Sequence, residues 1–195
     1  MARQKRNLKP GTMVYPLPAV LVTCGDSPEH SNMLTVAWTG VTCTNPAMVY
    51  ISVRPERYSY DFIRANMQFT INLTTADMAR ATDWVGVRSG CHYDKWKETG
   101  LTPHAGVAVE CPYVEESPLS LECVVRQVIP LGSHHMFLAE VVNVLADEAL
   151  FDAETDAFHL EDAGLLNYTH GHYYTQGDAI GRFGFSVMKK SDAKD

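Results

Sequence analysis

Apolar residues recur with a period of two along much of this chain, and helical spacings break into that alternation only briefly. From Ala19 to Cys24 the run AVLVTC is apolar and rich in β-branched residues, and Gly25-Asp26-Ser27-Pro28 ends it in a turn. Asn32 to Cys43 resumes the extended pattern as a second strand. Pro46 separates it from Met48–Val53, where Val49, Ile51 and Val53 alternate with Met48, Tyr50 and Ser52, as in a strand with two different faces. After Pro55, the spacing of Phe62, Ile63 and Met67 predicts a helix over 59–66. Ser59 is placed to cap its N-terminus, and Asp61 suits the positive end of its dipole. Phe69 to Leu73 (FTINL) reads as a strand, and Thr75-Ala76-Asp77 as the cap of a second helical stretch reaching about Trp84. Leu119–Val128 and Met136–Leu145 flank a turn at Pro130–Ser133 and read as an antiparallel pair. Six or seven strands against two or three short helices predict a mainly β fold. Strands so close in sequence favour an antiparallel barrel over a doubly wound sheet.

Composition bounds what such a barrel can do. At 195 residues and 46% apolar content the chain has material for one core, so residues 1–195 are read as a single domain. The net charge of −7 repels phosphate backbones and acidic membrane surfaces, which argues against nucleic-acid and membrane partners. An anionic ligand must then be captured by local positive groups. Residues 1–9 are basic, but no apolar signal-peptide core follows them, and nowhere do about 18 apolar residues run together as a membrane-spanning helix requires. Five cysteines without a C-x-x-C pair fit reduced thiols, most of them in the core, and so a cytoplasmic protein.

Two segments carry candidate chemistry. In Val53-Arg54-Pro55-Glu56-Arg57-Tyr58-Ser59-Tyr60 a strand ends, a rigid turn follows, and a helix opens beside two guanidinium groups. Free amides at a helix start, a hydroxyl and bidentate arginines outline an anion site; a capped surface helix with solvated arginines is the alternative. In Asn32-Met33-Leu34-Thr35-Val36-Ala37-Trp38-Thr39-Gly40, small residues surround an indole while polar side chains alternate. Such a strand suits either a flat polar ring, bound in part by free main-chain groups, or a core position for Trp38. The pairs His134-His135 and His170-Gly171-His172 have no carboxylate or cysteine at a characteristic metal-site spacing, so no metal is expected. No G-x-G-x-x-G opens a helix after a strand, so no Rossmann site is expected either.

The segments N-M-L-T-V-A-W-T-G, C-T-N-P and S-V-R-P-E-R-Y-S-Y-D-F-I resemble the flavin reductase-like family, flavoredoxin type. The likeness continues through Ser89-Gly90, Asp94-Lys95-Trp96, Glu115–Cys123, Gly132–Val141, Tyr168–Gly171 and Gly181–Lys190. It implies an FMN-binding split β-barrel of antiparallel Greek-key type, a homodimer with flavin near the interface, and NAD(P)H as a transient electron donor. Carried over residue by residue, Ser52, Arg54, Ser59 and Tyr60 would hold the FMN phosphate, and Asn32, Thr35, Ala37, Trp38 and Thr39 the ribityl chain and ring. Thr42 and Cys43 would lie close by. Relatives carry a G-D-H segment beside the nicotinamide site; here it reads Gly132-Ser133-His134, so the carboxylate is missing while His134 stays a catalytic candidate with Cys43. Lys95 and Tyr168–Tyr174 are further candidates as flavin covers or dimer contacts. The implied activity is electron transfer through FMN to flavin, ferric or protein acceptors. The alternatives are a non-enzymatic carrier serving a redox protein and a barrel that binds without redox chemistry.

Overall fold

A computed structural model of the chain describes residues 3–187; the resembling tail therefore passes outside the described residues at Met188. Seven strands form the main sheet: β2 (Val20–Gly25), β3 (Ser31–Val36), β4 (Thr39–Cys43), β5 (Met48–Val53), β6 (Gln68–Asn72), β9 (Leu119–Leu131) and β10 (His134–Ala146). Two smaller sheets contain β1 (Leu17–Pro18) with β11 (Leu166–Thr169) and β12 (His172–Thr175), and β7 (Pro103–His104) with β8 (Tyr113–Val114). The helices are α1 (Ser59–Asn66), α2 (Ala79–Val87) and α3 (Lys95–Thr99).

The main sheet is antiparallel throughout, in the order β3-β2-β6-β9-β10-β5-β4. Its two edge strands, β3 and β4, are consecutive in the chain and joined only by Ala37 and Trp38. A two-residue link between opposite edges is geometrically feasible only if the sheet curls back on itself. No ladder joins β3 to β4 among the described residues, so the curled sheet stays split there. The extended run predicted over 32–43 is therefore two strands. Small Ala37 and Gly40 flank the break, and the Trp38 carbonyl accepts from Ser52 N–H at 2.8 Å.

Inside the curl lie Val22, Leu34, Ile51, Ile63, Phe69 and Phe137, with the predicted face Val49, Ile51, Val53 of β5 fully turned inward. Outside β2 and β3, a second cluster of Leu21, Met33, Met78, Val85 and Val114 packs under α2 and α3. Every residue of β2 is consequently buried. On β9, polar Ser120 and Glu122 are buried as well. The Glu122 carboxylate accepts from Val107 N–H at 2.6 Å, Ala108 N–H at 2.8 Å and Asn143 Nδ2 at 2.9 Å, so the 103–114 segment covers it fully satisfied.

The helices differ in detail from the sequence expectation. Helix α1 covers the predicted residues, but Tyr58 stands at its N-cap and Ser59 makes no capping bond. Helix α2 begins later than Thr75-Ala76-Asp77 suggested and runs to Val87. Helix α3, unpredicted, is capped by the Asp94 carboxylate accepting from Lys97 N–H at 3.2 Å. Strands β9 and β10 extend further than expected to a two-residue loop, where Gly132 at φ 69° supplies the positive angle such a hairpin favours. Cys24, Cys111 and Cys123 are buried, Cys43 is half-buried and Cys91 exposed, all five unpaired. No helix among the described residues is long and apolar enough to cross a membrane.

Candidate functional site

Strand β3 pairs on one side only, with β2, and its free edge builds the site. Met33 turns its carbonyl to that edge and accepts from Lys95 Nζ at 2.9 Å; the same ammonium donates to the Val85 carbonyl of α2, also at 2.9 Å. Period-two alternation then directs the main-chain N–H and C=O of Thr35 outward too. The Thr35 hydroxyl donates to the Thr82 carbonyl, and a Cβ added at Gly86 would lie 3.3 Å from Thr35 Cβ. Glycine there keeps α2 close enough to form the opposite wall of a groove.

One end of the groove is a cavity of about 260 Å³ that gathers Arg54, Arg57, Arg88 and Lys95 around Asn32 and Ser59. Asn32 is buried and donates from Nδ2 to Ser59 Oγ at 2.6 Å, leaving the serine hydroxyl proton to point elsewhere. Among the described residues, the only carboxylate on the wall is Glu56. Its pKa is lowered by its main-chain N–H and by Arg54, whose Nη1 lies 3.1 Å away. Arg57 reaches across the groove to donate to the Gly86 carbonyl at 3.4 Å. A concentration of four cations in a chain of net charge −7 is a local anion trap.

The other end is a wider cavity of about 530 Å³ between Ala37, Trp38, Ser52, His134, Tyr168 and Tyr173. Leu34, Thr35, Arg54, Arg57 and Gly86 belong to both cavities, so the two are one groove. Trp38 and His134 lie parallel, 7° between their planes and 6.4 Å between centroids. Partial burial, then Arg54, lower the His134 pKa against an opposing pull from Glu56, and this lowering favours the neutral ring. Tyr173 donates to Asp83 at 3.1 Å, and burial ahead of that carboxylate raises its phenol to about 12. Together they tie the β11–β12 hairpin to α2 over the wide cavity.

The structure brings together most of the residues singled out from sequence. Asn32, Arg54 and Ser59 meet in the cationic cavity; Ala37, Trp38, Ser52 and His134 meet in the wide one, and Thr35 lines both. Ser52 thus lines the wide cavity, which it shares with Arg54 and Arg57, and not the cationic one. Four residues lie outside the groove. Thr39 is buried and donates to the Tyr50 carbonyl at 2.6 Å, while Thr42 is exposed and Cys43 is half-buried at the far end of β4. Tyr60 faces His135, its hydroxyl 2.6 Å from Nδ1. Arg88, Gly90 and Asp83 were not singled out from sequence as ligand-binding residues; the Ser89-Gly90 and Asp94-Lys95-Trp96 matches were the available pointers to that wall.

A split, mainly β scaffold with an aromatic hollow running into an arginine-lined one defines a protein that holds a flat, anionic cofactor. The chain belongs to the flavin reductase like domain family, whose model matches residues 12–177, and is of the flavoredoxin type. Flavoredoxin of Desulfovibrio vulgaris (Miyazaki F) superposes with a TM-score of 0.87 at 28% identity, covering 95% of this chain and 100% of that one. Flavoredoxin from Methanosarcina acetivorans shares the fold at a TM-score of 0.84 and 23% identity, covering 95% and 100%. A protein of Archaeoglobus fulgidus is 25% identical over 143 residues, 73% of this chain and 80% of its own. Membership makes the chain a flavin-related oxidoreductase. The groove fits that cofactor: its cations answer a phosphate, its rings a flat heterocycle, and the outward amide and carbonyl of Thr35 a donor–acceptor ring edge.

Proposed function

We propose that the protein binds FMN in this groove and passes electrons through it from NAD(P)H or a redox protein to flavin, ferric or protein acceptors. The continuity of the cationic and aromatic cavities through Thr35, Arg54 and Arg57 carries this reading. Bound there, the flavin supplies the electron and hydride chemistry. The chain's own residues hold and orient it. Arg54, Arg57, Arg88 and the Ser59 hydroxyl take the phosphate, with Ser59 oriented by Asn32. Ala37, Trp38 and the Thr35 main chain take the ring, and Tyr168 and Tyr173 shield it. His134 stacks against Trp38, where it can orient a donor, and its lowered pKa limits the positive charge it adds.

The carrier reading, in which a redox protein replaces NAD(P)H, is favoured by one observation. Ser133 stands where related reductases have a carboxylate, and its hydroxyl contacts His134 Nδ1 at 2.9 Å. A homodimer with the flavin near its interface and a cytoplasmic location complete the proposal. The first is supported by exposed Val142 and Val144 on β10, the second by five unpaired thiols.

Titration with FMN, followed by flavin absorbance and fluorescence, tests the cofactor; no spectral change on mixing rejects it. Arg54→Ala is expected to weaken FMN by about 2 kcal/mol, roughly thirtyfold, through loss of a charge-assisted phosphate contact. Anaerobic stopped-flow reduction by NADH, NADPH and reduced ferredoxin in parallel separates reductase from carrier. Rapid bleaching of the flavin by a nicotinamide identifies the reductase, and bleaching by ferredoxin alone identifies the carrier.

A further inference from the structure

Residues 3–14 form an arm without helix or strand, and every one of them is exposed. Four of the chain's 16 basic residues, Arg3, Lys5, Arg6 and Lys9, lie in this arm, and no acidic residue precedes Asp26. None of the four makes an ion pair among the described residues. The arm is a concentrated positive charge on a chain whose net charge is −7. Leu8, Met13 and Val14 add exposed apolar side chains to it.

The root of the arm is fixed beside the flavin groove. Tyr15 packs against Tyr168 at 6.1 Å and His170 at 5.9 Å, and Leu17 and Pro18 pair with Tyr168 and Asn167 as β1 on β11. Tyr168 in turn lines the wide aromatic cavity. Lys9 is tethered to Tyr15 by at most about 20 Å of extended chain. The arm encloses no pocket, so capture of a small anion falls to Arg54, Arg57, Arg88 and Lys95 in the groove. An open run of cations suits a surface of opposite charge, which it attracts from a distance. A nucleic acid or an acidic bilayer extends past the arm and meets the acidic remainder of the chain. A small acidic protein need meet only the arm.

We propose that the N-terminal arm docks an acidic one-electron redox protein against the β11–β12 hairpin, at the wide end of the flavin groove. The proposal rests on the flavin reading above and names the chemistry of the partner. In each encounter the partner's redox centre loses one electron and the flavin gains it. Two encounters complete the two-electron reduction, with protons taken from solvent.

The FMN-loaded wild type is compared with a variant carrying Arg3→Gln, Lys5→Gln, Arg6→Gln and Lys9→Gln, all at exposed positions. Two acidic carriers, ferredoxin and flavodoxin, serve as probes. Their dissociation constants are measured by calorimetry, and the rates at which their reduced forms reduce the flavin by anaerobic stopped flow. At low ionic strength the variant is expected to bind both carriers at least tenfold more weakly and to be reduced by them at least tenfold more slowly. The difference should vanish in 1 M salt, where the screening length is about 3 Å. Electron transfer from the reduced protein to basic cytochrome c should not slow in the variant. Equal carrier binding and rates in the two proteins at low salt, or an equal slowing towards cytochrome c, overturns the proposal. Arm-dependent binding to phosphatidylserine vesicles or duplex DNA, with neither carrier bound, assigns the arm to a polyanion and likewise overturns it. Failure of the wild type to bind FMN refutes the parent reading, whereas FMN binding with carriers indifferent to the arm refutes the docking alone.

Discussion

Lys95 joins the two walls of the groove through a single buried ammonium, donating to Met33 on β3 and to Val85 on α2. Burial, then the nearby Arg57, lowers its pKa from 10.5 to about 8 against a smaller opposing pull from Cys24. Between those values the unfolded chain holds a proton that the folded chain has released. The unfolding free energy therefore rises with pH from about 8 to 10.5, and this group contributes no slope below that window. Lys95→Met is expected to lose that rise. It also strands two carbonyls, at a cost of about 2 kcal/mol or more at neutral pH. Denaturant unfolding of wild type and variant at pH 7.5 and pH 9.5 checks both, since a constant difference between the two proteins would deny the linkage. His134 gives a second residue-level check. Burial and the guanidinium groups of Arg54 and Arg57 depress its pKa, so Arg54→Ala should move it upward in an NMR titration, and an unmoved ring resonance would separate it from the cationic end.

Among the elements, the loop between α2 and α3 is the part of the site that sequence periodicity conveyed least. Gly90 lies so close to β3 that an added Cβ would fall 2.3 Å from Asn32 Oδ1 and 2.9 Å from Nδ2. Gly90→Ala must therefore push the amide off Ser59. It is expected to weaken FMN about as much as Asn32→Ala, with the double variant no worse than either alone, as for two changes acting through one hydrogen bond. Additive losses in a double-mutant cycle of FMN affinities would show that Gly90 acts elsewhere. The strand cores of β2, β5, β6, β9 and β10 were legible because alternation or β-branched runs report burial directly. The break at Ala37-Trp38 was not, because both flanking strands continue the same extended pattern and the kink is imposed by closure of the sheet. Ser59 was read as a helix cap since hydroxyls favour that position; a tertiary partner, Asn32, takes its oxygen instead. Arg54, Trp38 and His134 were found from local motifs. Arg88 and Asp83 reach the groove only through the packing of α2, which no local pattern encodes, whereas Tyr173 belongs to the Tyr168–Tyr174 stretch named from sequence.

At the scale of the whole molecule, β10 outruns its neighbour. Its pairing with β5 ends at Glu140, while the strand continues along β9 to Ala146. Val142 and Val144, two apart and so on one face, are 39% and 51% exposed on that free edge. An unpaired strand edge bearing β-branched residues invites a partner strand, and the irregularity on this one is the register shift against β9 between Val141 and Asn143. A second copy of the chain is the partner proposed, with the flavin close to the shared surface. A lysine at Val144 would place a charge on that edge, as natural sheets do to stay unpaired. Val144→Lys should weaken self-association by about 2 kcal/mol or more, roughly thirtyfold in the dimer constant, without unfolding a strand that β9 still pairs. Sedimentation velocity of FMN-loaded protein over a concentration series checks this. A wild type that sediments as a monomer at every concentration rejects the dimer. A dimer that Val144→Lys leaves intact moves the interface to another face, and a monomeric variant that keeps full FMN affinity shows the groove to be complete within one chain.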